Sequence, residues 1–248
     1  MKHNKFSPTP PLVENNKIVN DPAEKCEIFN TFFASKSTVN GAMDEPPVLQ
    51  KLNNIETLDK INTSPIEVAK LVRSLKKSHT SHCGISGKFM EIISQPISHS
   101  LSKLFNNLFE FGHFPHLWKI AHITPIYKRN GPKNDKSNFR PISILPTLSK
   151  VCESVIHQRL LNHCIENNII SERQAAYLKG DSTLSQLLYI EHQIRLSWGN
   201  SKITQAAFLD ISAAFDKVWH NGLLAKLHQI GVKGLDWVLC CLLSSLMT

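Results

Sequence analysis

Several signatures of common enzyme and metal-binding classes are missing from this chain of 248 residues. Its six cysteines form no CxxC pair, which is the spacing typical of structural zinc sites and thioredoxin-like proteins. It contains neither the G-x-S-x-G elbow of α/β-hydrolases nor a glycine-rich phosphate loop. No apolar run is long enough to cross a bilayer, and the N-terminus lacks the apolar core of a secretory signal peptide. We therefore expect an intracellular protein with reduced thiols and no membrane partner.

Two groups of His and Cys residues raise the question of a zinc site. They are His79, His82 and Cys83, and then Cys152, His157, His163 and Cys164. Neither group has the paired spacing of zinc ligands, and helical geometry scatters the second group around its axis. The sequence therefore does not predict a zinc site.

The positive charge of the C-terminal half is confined to one window. Hydrophobic residues make up 42% of the chain, which predicts a folded protein, and the net charge is +8. Residues 116–150 contain seven Lys or Arg and one acid, whereas residues 151–248 contain eight of each sign. A solvated basic loop is the simplest interpretation of such a window, and a surface that faces phosphates is the alternative hypothesis.

Local signals divide the chain into three segments. We expect residues 1–20 to be disordered or a linker, and residues 21–113 to form an N-terminal helical extension. Helix starts are predicted at Asp21-Pro22 and at the capping box from Ser64 to Glu67, and Gly112 is predicted to end the third helix. Residues 114–248 form the remaining segment, with helices predicted at 148–166 and 184–198.

A β-hairpin is predicted within the basic window. Its strands are Ile120–Tyr127 and Asn138–Ser143, and the polar loop between them contains Gly131 and Pro132. Basic side chains at the rim of such a hairpin are suited to grip a triphosphate or a nucleic-acid backbone. A solvated tip is a fair alternative for part of the set, namely Arg129, Lys133 and Lys136. It is a weaker alternative for Arg140, whose neighbours are Phe139 and Pro141.

Residues 203–231 are predicted to form strand, turn and helix. The apolar run 203–211 carries Asp210 near its end, and small residues and Phe215 follow it. The next apolar positions have helical spacing and are closed by Gly231. A carboxylate at a strand end suits a divalent cation. The spacing alone favours the simpler interpretation of a buried strand, an exposed Asp and an ordinary helix, because single Asp residues at strand ends are common.

Three stretches resemble reverse transcriptases of non-LTR retrotransposons, the LINE-like and jockey-like elements. Residues 209–220 resemble the family's motif A, typically LD-x-x-x-AFD-x-V-x-H, through Leu209-Asp210, Ala214-Phe215-Asp216, Val218 and His220. Trp118-Lys119 with the strand after it, and then residues 138–143, resemble the two fingers motifs. Residues 174–183 resemble a further motif, with Ala176 and Leu178 in place of the usual Gly and Arg.

The resemblance implies roles for particular residues. Asp210 would be a catalytic ligand of Mg²⁺, and Phe215 a steric gate against a ribose 2′-hydroxyl. Ala213 and Ala214 would let the backbone approach the nucleotide. Lys128 and Arg140 would contact nucleotide phosphates or template. The remaining rim residues would bind nucleic acid: Lys119, Arg129, Lys133 and Lys136.

The resemblance also implies an architecture, partners and a location. The expected fold is α/β (α+β), mainly helical, with fingers and the start of a palm in residues 114–248. The expected partners are an RNA template, a DNA primer and a deoxynucleoside triphosphate, in the cytoplasm and nucleus. Oligomeric state is not predicted.

One catalytic element of this family is missing from the printed sequence. The family's later [FY]-x-D-D hairpin supplies further metal carboxylates, but the chain contains no adjacent Asp pair. Two-metal chemistry needs at least two placed carboxylates. We therefore expect a fragment of the polymerase that is inactive alone. The alternatives are a non-enzymatic nucleic-acid-binding remnant and a relic without function.

Overall fold

Helices outweigh strands in this protein. The structure is a computed structural model that describes residues 9–37, 55–77, 81, 84–211 and 214–234. The helices are α1 Pro22–Ser37, α2 Pro65–Ser74, α3 Gly87–Phe111, α4 Thr147–Glu166, α5 Thr183–Gly199 and α6 His220–Gln229. The strands are β1 Leu12–Glu14, β2 Lys17–Val19, β3 His122–Tyr127 and β4 Phe139–Ile144, and they form two antiparallel hairpins, β1–β2 and β3–β4. The prediction of a mixed α/β, mainly helical structure is confirmed at this level.

The predicted helix boundaries follow from local caps. The backbone N–H of Glu24 donates to Asp21 Oδ2 at 2.9 Å, so Asp21 satisfies a free donor at the start of α1. The hydroxyl of Ser64 accepts from the backbone N–H of Glu67 in the same way. Gly112 ends α3 in the left-handed conformation at φ 64°, which glycine adopts without steric cost.

A first hydrophobic core lies among α2, α3, α4 and α6. Its fully buried side chains include Val68, Val72, Met90, Phe105, Val151, Val155 and Ile156. Leu224 and Leu227 of α6, and Ile230 directly after it, pack against this core, which confirms the helical spacing predicted for these positions. Just after α6, Val232 pairs with Leu58 in a parallel bridge. The segment before α2 therefore holds the end of α6.

A second core joins the N-terminal strands to the β3–β4 hairpin. It consists of Leu12, Phe29, Phe33 and Phe139, each at most 5% exposed. The expectation that residues 1–20 are disordered or a linker is wrong for residues 12–19, which form the β1–β2 hairpin. Asn15 and Asn16 both have positive φ, as a two-residue hairpin turn requires. Asparagine tolerates that conformation, so this pair is the signal that reveals the turn.

The chain divides into two compact units. The first comprises the described parts of residues 1–160 and 213–248, and the second comprises residues 161–212. In the second unit, the Ser182 hydroxyl caps α5 by accepting from the backbone N–H of Ser185. No described side chain of α5 is buried, and Trp198 is 72% exposed. The predicted segment boundaries at residues 20 and 113 stay predictions.

No helix among the described residues combines the length and the apolar character needed to cross a membrane.

Candidate nucleic-acid interface

The β3–β4 hairpin presents two different faces. Its register pairs Tyr127 with Phe139 on one face and Ile126 with Arg140 on the other. Phe139 is 4% exposed, whereas Ile126 is 49% exposed and Arg140 lies at the surface. Because cross-strand partners share a face, one face is anchored in the protein and the other is open to a ligand.

Aromatic packing anchors the inner face to α1. The Phe139 ring meets the Phe29 ring edge-on, with centroids 5.0 Å apart, and it contacts the Tyr127 ring at 5.7 Å. Leu12 completes this cluster from β1. Edge-on aromatic pairs add a directional preference to the burial of apolar area. The hairpin is therefore fixed against the N-terminal helix.

Internal hydrogen bonds shape the loop between β3 and β4. The Tyr127 hydroxyl donates to the carbonyl of Gly131, and the Asn138 amide donates to the carbonyl of Pro132 at 2.9 Å. Asp135 caps the short 3₁₀ turn Lys136–Asn138 by accepting from the backbone N–H of Ser137. The hydrogen bonds from the side chain and backbone of Ser137 lower the pKa of Asp135. The basic residues of this loop therefore sit on an ordered frame.

Two cations of this region are engaged within the protein. Lys128 donates to the carbonyl of Ser137 at 2.7 Å and closes the loop. Lys136 forms an ion pair with Glu14 of β1, and both side chains are about 30% exposed. The backbone N–H of Val13 donates to the carbonyl of Asn134 nearby. The N-terminal hairpin thus holds the basic loop, a role that the composition of residues 1–20 did not indicate.

Two arginines of this region remain turned toward solvent. The side chains of Arg129 and Arg140 are exposed and form no hydrogen bond or ion pair with the described residues. The Lys133 ammonium lies 5.6 Å from the centre of the Tyr127 ring. Lys119 is partly exposed and ends the 3₁₀ turn before β3. The structure therefore brings all the predicted basic residues to the hairpin or to its entrance.

Asp210 belongs to the second unit, not to the unit that contains the hairpin. The prediction of a strand over residues 203–211 is wrong: the segment has no regular secondary structure, and Leu209 is 96% exposed. A strand is stabilised by hydrogen bonds to a neighbouring strand, and none of the described strands pairs with this segment. Asp210 is exposed, and the described residues contain no group of three His, Cys, Asp or Glu that could hold a metal.

The turn after Asp210 returns to the first unit. Ala214 and Phe215 are exposed, and Phe215 keeps 65% of its surface in solvent. Ala213 lies outside the described residues. Asp216 is half-buried, and its negative charge acts on Lys36 at the end of α1. The turn therefore lies within electrostatic reach of α1, which sequence reasoning did not foresee.

Comparisons with known proteins identify the same family as the motifs. The model of the family "Reverse transcriptase (RNA-dependent DNA polymerase)" matches residues 131–247. The chain is 29% identical over 233 residues to a probable RNA-directed DNA polymerase from the Drosophila melanogaster transposon X-element, covering 88% of this chain and 25% of that protein. It is 35% identical over 130 residues to the RNA-directed DNA polymerase from the D. melanogaster mobile element jockey, covering 52% of this chain and 14% of the relative.

A third relative is the probable RNA-directed DNA polymerase from the D. melanogaster transposon BS, at 29% identity over 187 residues, which are 71% of this chain and 21% of the relative. The chain thus spans a quarter or less of the length of these three relatives. Residues 131–247 thus match the reverse transcriptase family, and the relatives that extend over most of the chain are RNA-directed DNA polymerases of transposons.

Proposed function

We propose that this chain binds the phosphates of nucleic acids and nucleotides through the outer face of the β3–β4 hairpin, as part of an RNA-directed DNA polymerase. The observation that carries the proposal is Arg140. Its guanidinium is exposed and has no partner among the described residues, while Phe139 beside it is buried. A fixed backbone with a free cation is a favourable arrangement for a phosphate contact.

The chemistry of the outer face suits a nucleotide. A planar guanidinium can donate two parallel hydrogen bonds to a phosphate. Ile126 and Ile142 lie on the same face, and each is nearly half exposed. Apolar side chains beside a cation give a base a surface to pack on while its phosphate is held. In the complete polymerase the ligands would be an RNA template, a DNA primer and a deoxynucleoside triphosphate.

We further propose Asp210 as one carboxylate ligand of Mg²⁺ in the complete polymerase. The ion would promote attack of a primer 3′-hydroxyl on the nucleotide α-phosphate. Phe215 and the small residues Ala213 and Ala214 would then flank the incoming nucleotide. One exposed carboxylate does not complete a two-metal site, and the sequence has no Asp-Asp pair. The chain by itself is therefore expected to bind nucleic acid without extending a primer.

Binding can be tested by fluorescence anisotropy with a labelled RNA–DNA primer–template over a range of KCl concentrations. Wild type should bind more weakly as salt rises, because counterions are released from the phosphates. Arg140→Gln should weaken binding and reduce the log–log salt slope by about 0.9, which corresponds to one phosphate. Lys103→Gln is the matched control, since Lys103 is an exposed cation on α3 and has no partner among the described residues. Absence of binding at low salt, or equal effects of the two variants, would refute the proposal.

Primer extension with Mg²⁺ or Mn²⁺ tests the second part. We expect the 248-residue chain to give no template-dependent product while it still binds the primer–template. Clear DNA synthesis would refute the expectation that this chain supplies too few metal ligands. Salt-dependent binding without synthesis also fits the alternative of a non-enzymatic nucleic-acid-binding protein.

A further inference from the structure

The last turn of α1 converges with the basic loop at one aromatic ring. The Lys36 ammonium lies 4.1 Å from the centre of the Phe32 ring, and the Lys136 ammonium lies 5.6 Å from it. Lys36 follows Phe32 by one helical turn, so the two side chains share a face of α1. Lys136 reaches the same ring from the loop between β3 and β4. A residue of the N-terminal extension therefore borders the basic loop between β3 and β4.

The ammonium groups near the Phe32 ring differ in whether a carboxylate pairs with them. Lys136 is paired with Glu14, and Lys128 donates to a neutral carbonyl. Lys36 forms no ion pair with a carboxylate of the described residues. Burial is the main cause that lowers the pKa of Lys36, and the positive charge of Lys128 lowers it further. Asp216 and Asp135 act in the opposite direction without reversing the shift.

Such an arrangement favours an anion. Two ammonium groups that the fold holds near each other repel, and partial burial strengthens the repulsion. An anion near Lys36 and Lys128 would remove this cost. A lysine in the last turn of a helix is favourable by itself because of the helix dipole. That effect accounts for Lys36 alone, but it does not explain why Lys136 of the basic loop lies at the same aromatic ring.

We propose that Lys36 of α1 contacts a phosphate of the ligand held by the β3–β4 hairpin, so that the N-terminal extension takes part in binding. The inference rests on the proposed function of the hairpin. The phosphate can belong to a nucleic-acid backbone or to a nucleoside triphosphate, which share the same chemistry. Lysine binds either one as a compact point charge.

The experiment compares Lys36→Gln, Lys36→Arg and the control Lys103→Gln in two binding assays. One uses the labelled RNA–DNA primer–template over a range of salt concentrations, and the other uses a fluorescent deoxynucleoside triphosphate. A backbone contact predicts that Lys36→Gln weakens primer–template binding several-fold and reduces the salt slope by about 0.9. A triphosphate contact predicts several-fold weaker binding in the second assay. In both cases Lys36→Arg should restore most of the binding, and circular dichroism should show an unchanged fold.

Two failures are distinguishable. If wild type binds and Arg140→Gln weakens binding, but Lys36→Gln matches Lys103→Gln in both assays, the inference about Lys36 is wrong and the proposed function stands. If wild type binds neither ligand at low salt, the proposed function fails and the inference fails with it.

Discussion

Leu12 provides a sharp test of how the N-terminal strands support the hairpin. It is 1% exposed and packs with Phe29, Phe33 and Phe139. Leu12→Ala removes a buried side chain and leaves a cavity, which typically costs about 2–5 kcal/mol. Phe29 and Phe33 also line an open cavity of about 580 Å³. Since this neighbouring space lets the cluster relax, we expect a loss of about 2–3 kcal/mol, at the lower end of that range.

Hydrogen exchange measured by mass spectrometry can locate this loss. Peptides from β3 and β4 should exchange faster in Leu12→Ala, because their inner face loses a packing partner, whereas peptides from α2 and α3 should change less. Val13→Ala is the matched control, since Val13 is the next residue on β1 and is 41% exposed. Its cost should stay below about 1 kcal/mol, since it removes little buried area. Equal exchange in wild type and Leu12→Ala would refute the reasoning and would make residues 9–20 a linker after all.

The ion pair between Arg159 and Glu67 should contribute to the free energy of unfolding. Glu67 and Glu153 should make that free energy depend on pH in opposite directions. Arg159→Ala should cost about 1.5–3 kcal/mol in urea unfolding, because Arg159 donates to Glu67 Oε2 at 2.7 Å and both side chains are partly buried. A cost below about 0.5 kcal/mol would contradict this prediction. Burial raises the pKa of Glu67, but hydrogen bonds from Arg159 and Thr63 hold it below its ordinary value. Its stabilisation is therefore lost as pH falls through the folded-state pKa, and Glu67→Gln should flatten that acid limb. Burial raises the pKa of Glu153, with only partial compensation from its hydrogen bond to Ser149. The stabilisation by Glu153 is present below its ordinary pKa of 4.5 and is lost as pH rises through its folded-state pKa. Glu153→Gln should therefore gain stability relative to wild type above pH 4.5. A difference in stability that changes with pH in the opposite direction would refute this prediction.

The predictable features were those that neighbouring residues decide. The cap at Ser64 and the glycine at the end of α3 depend on hydrogen bonds and backbone angles within one turn of helix. The β3–β4 hairpin follows from two alternating runs around a polar loop, and its motifs carry the resemblance to reverse transcriptases. The signal from Asn15 and Asn16 was also local, but three-residue strands are too short to show a clear alternation.

The wrong prediction over residues 203–211 has a different cause. An apolar run with a carboxylate near its end is consistent with a strand, but a strand forms only beside another strand. The described residues offer this segment no such neighbour, so its apolar side chains remain exposed. The sequence of a segment indicates its tendency to form a strand, but it does not show whether a neighbouring strand is available for pairing.

The sequence by itself determined the resemblance to reverse transcriptases, the helix ends and the basic hairpin, because these depend on residue identity and short-range spacing. Only the tertiary structure decided which cations are free. Glu14 lies 122 residues from Lys136, and their ion pair exists because β1 packs beside the loop. Lys36 and Lys136 meet at the Phe32 ring because α1 lies against the hairpin through Phe29 and Phe139. The sequence shows which residues carry a charge, but contacts between distant segments decide which charges are paired. For this reason the Lys136 ammonium is paired with Glu14, whereas the Arg140 guanidinium is exposed to solvent.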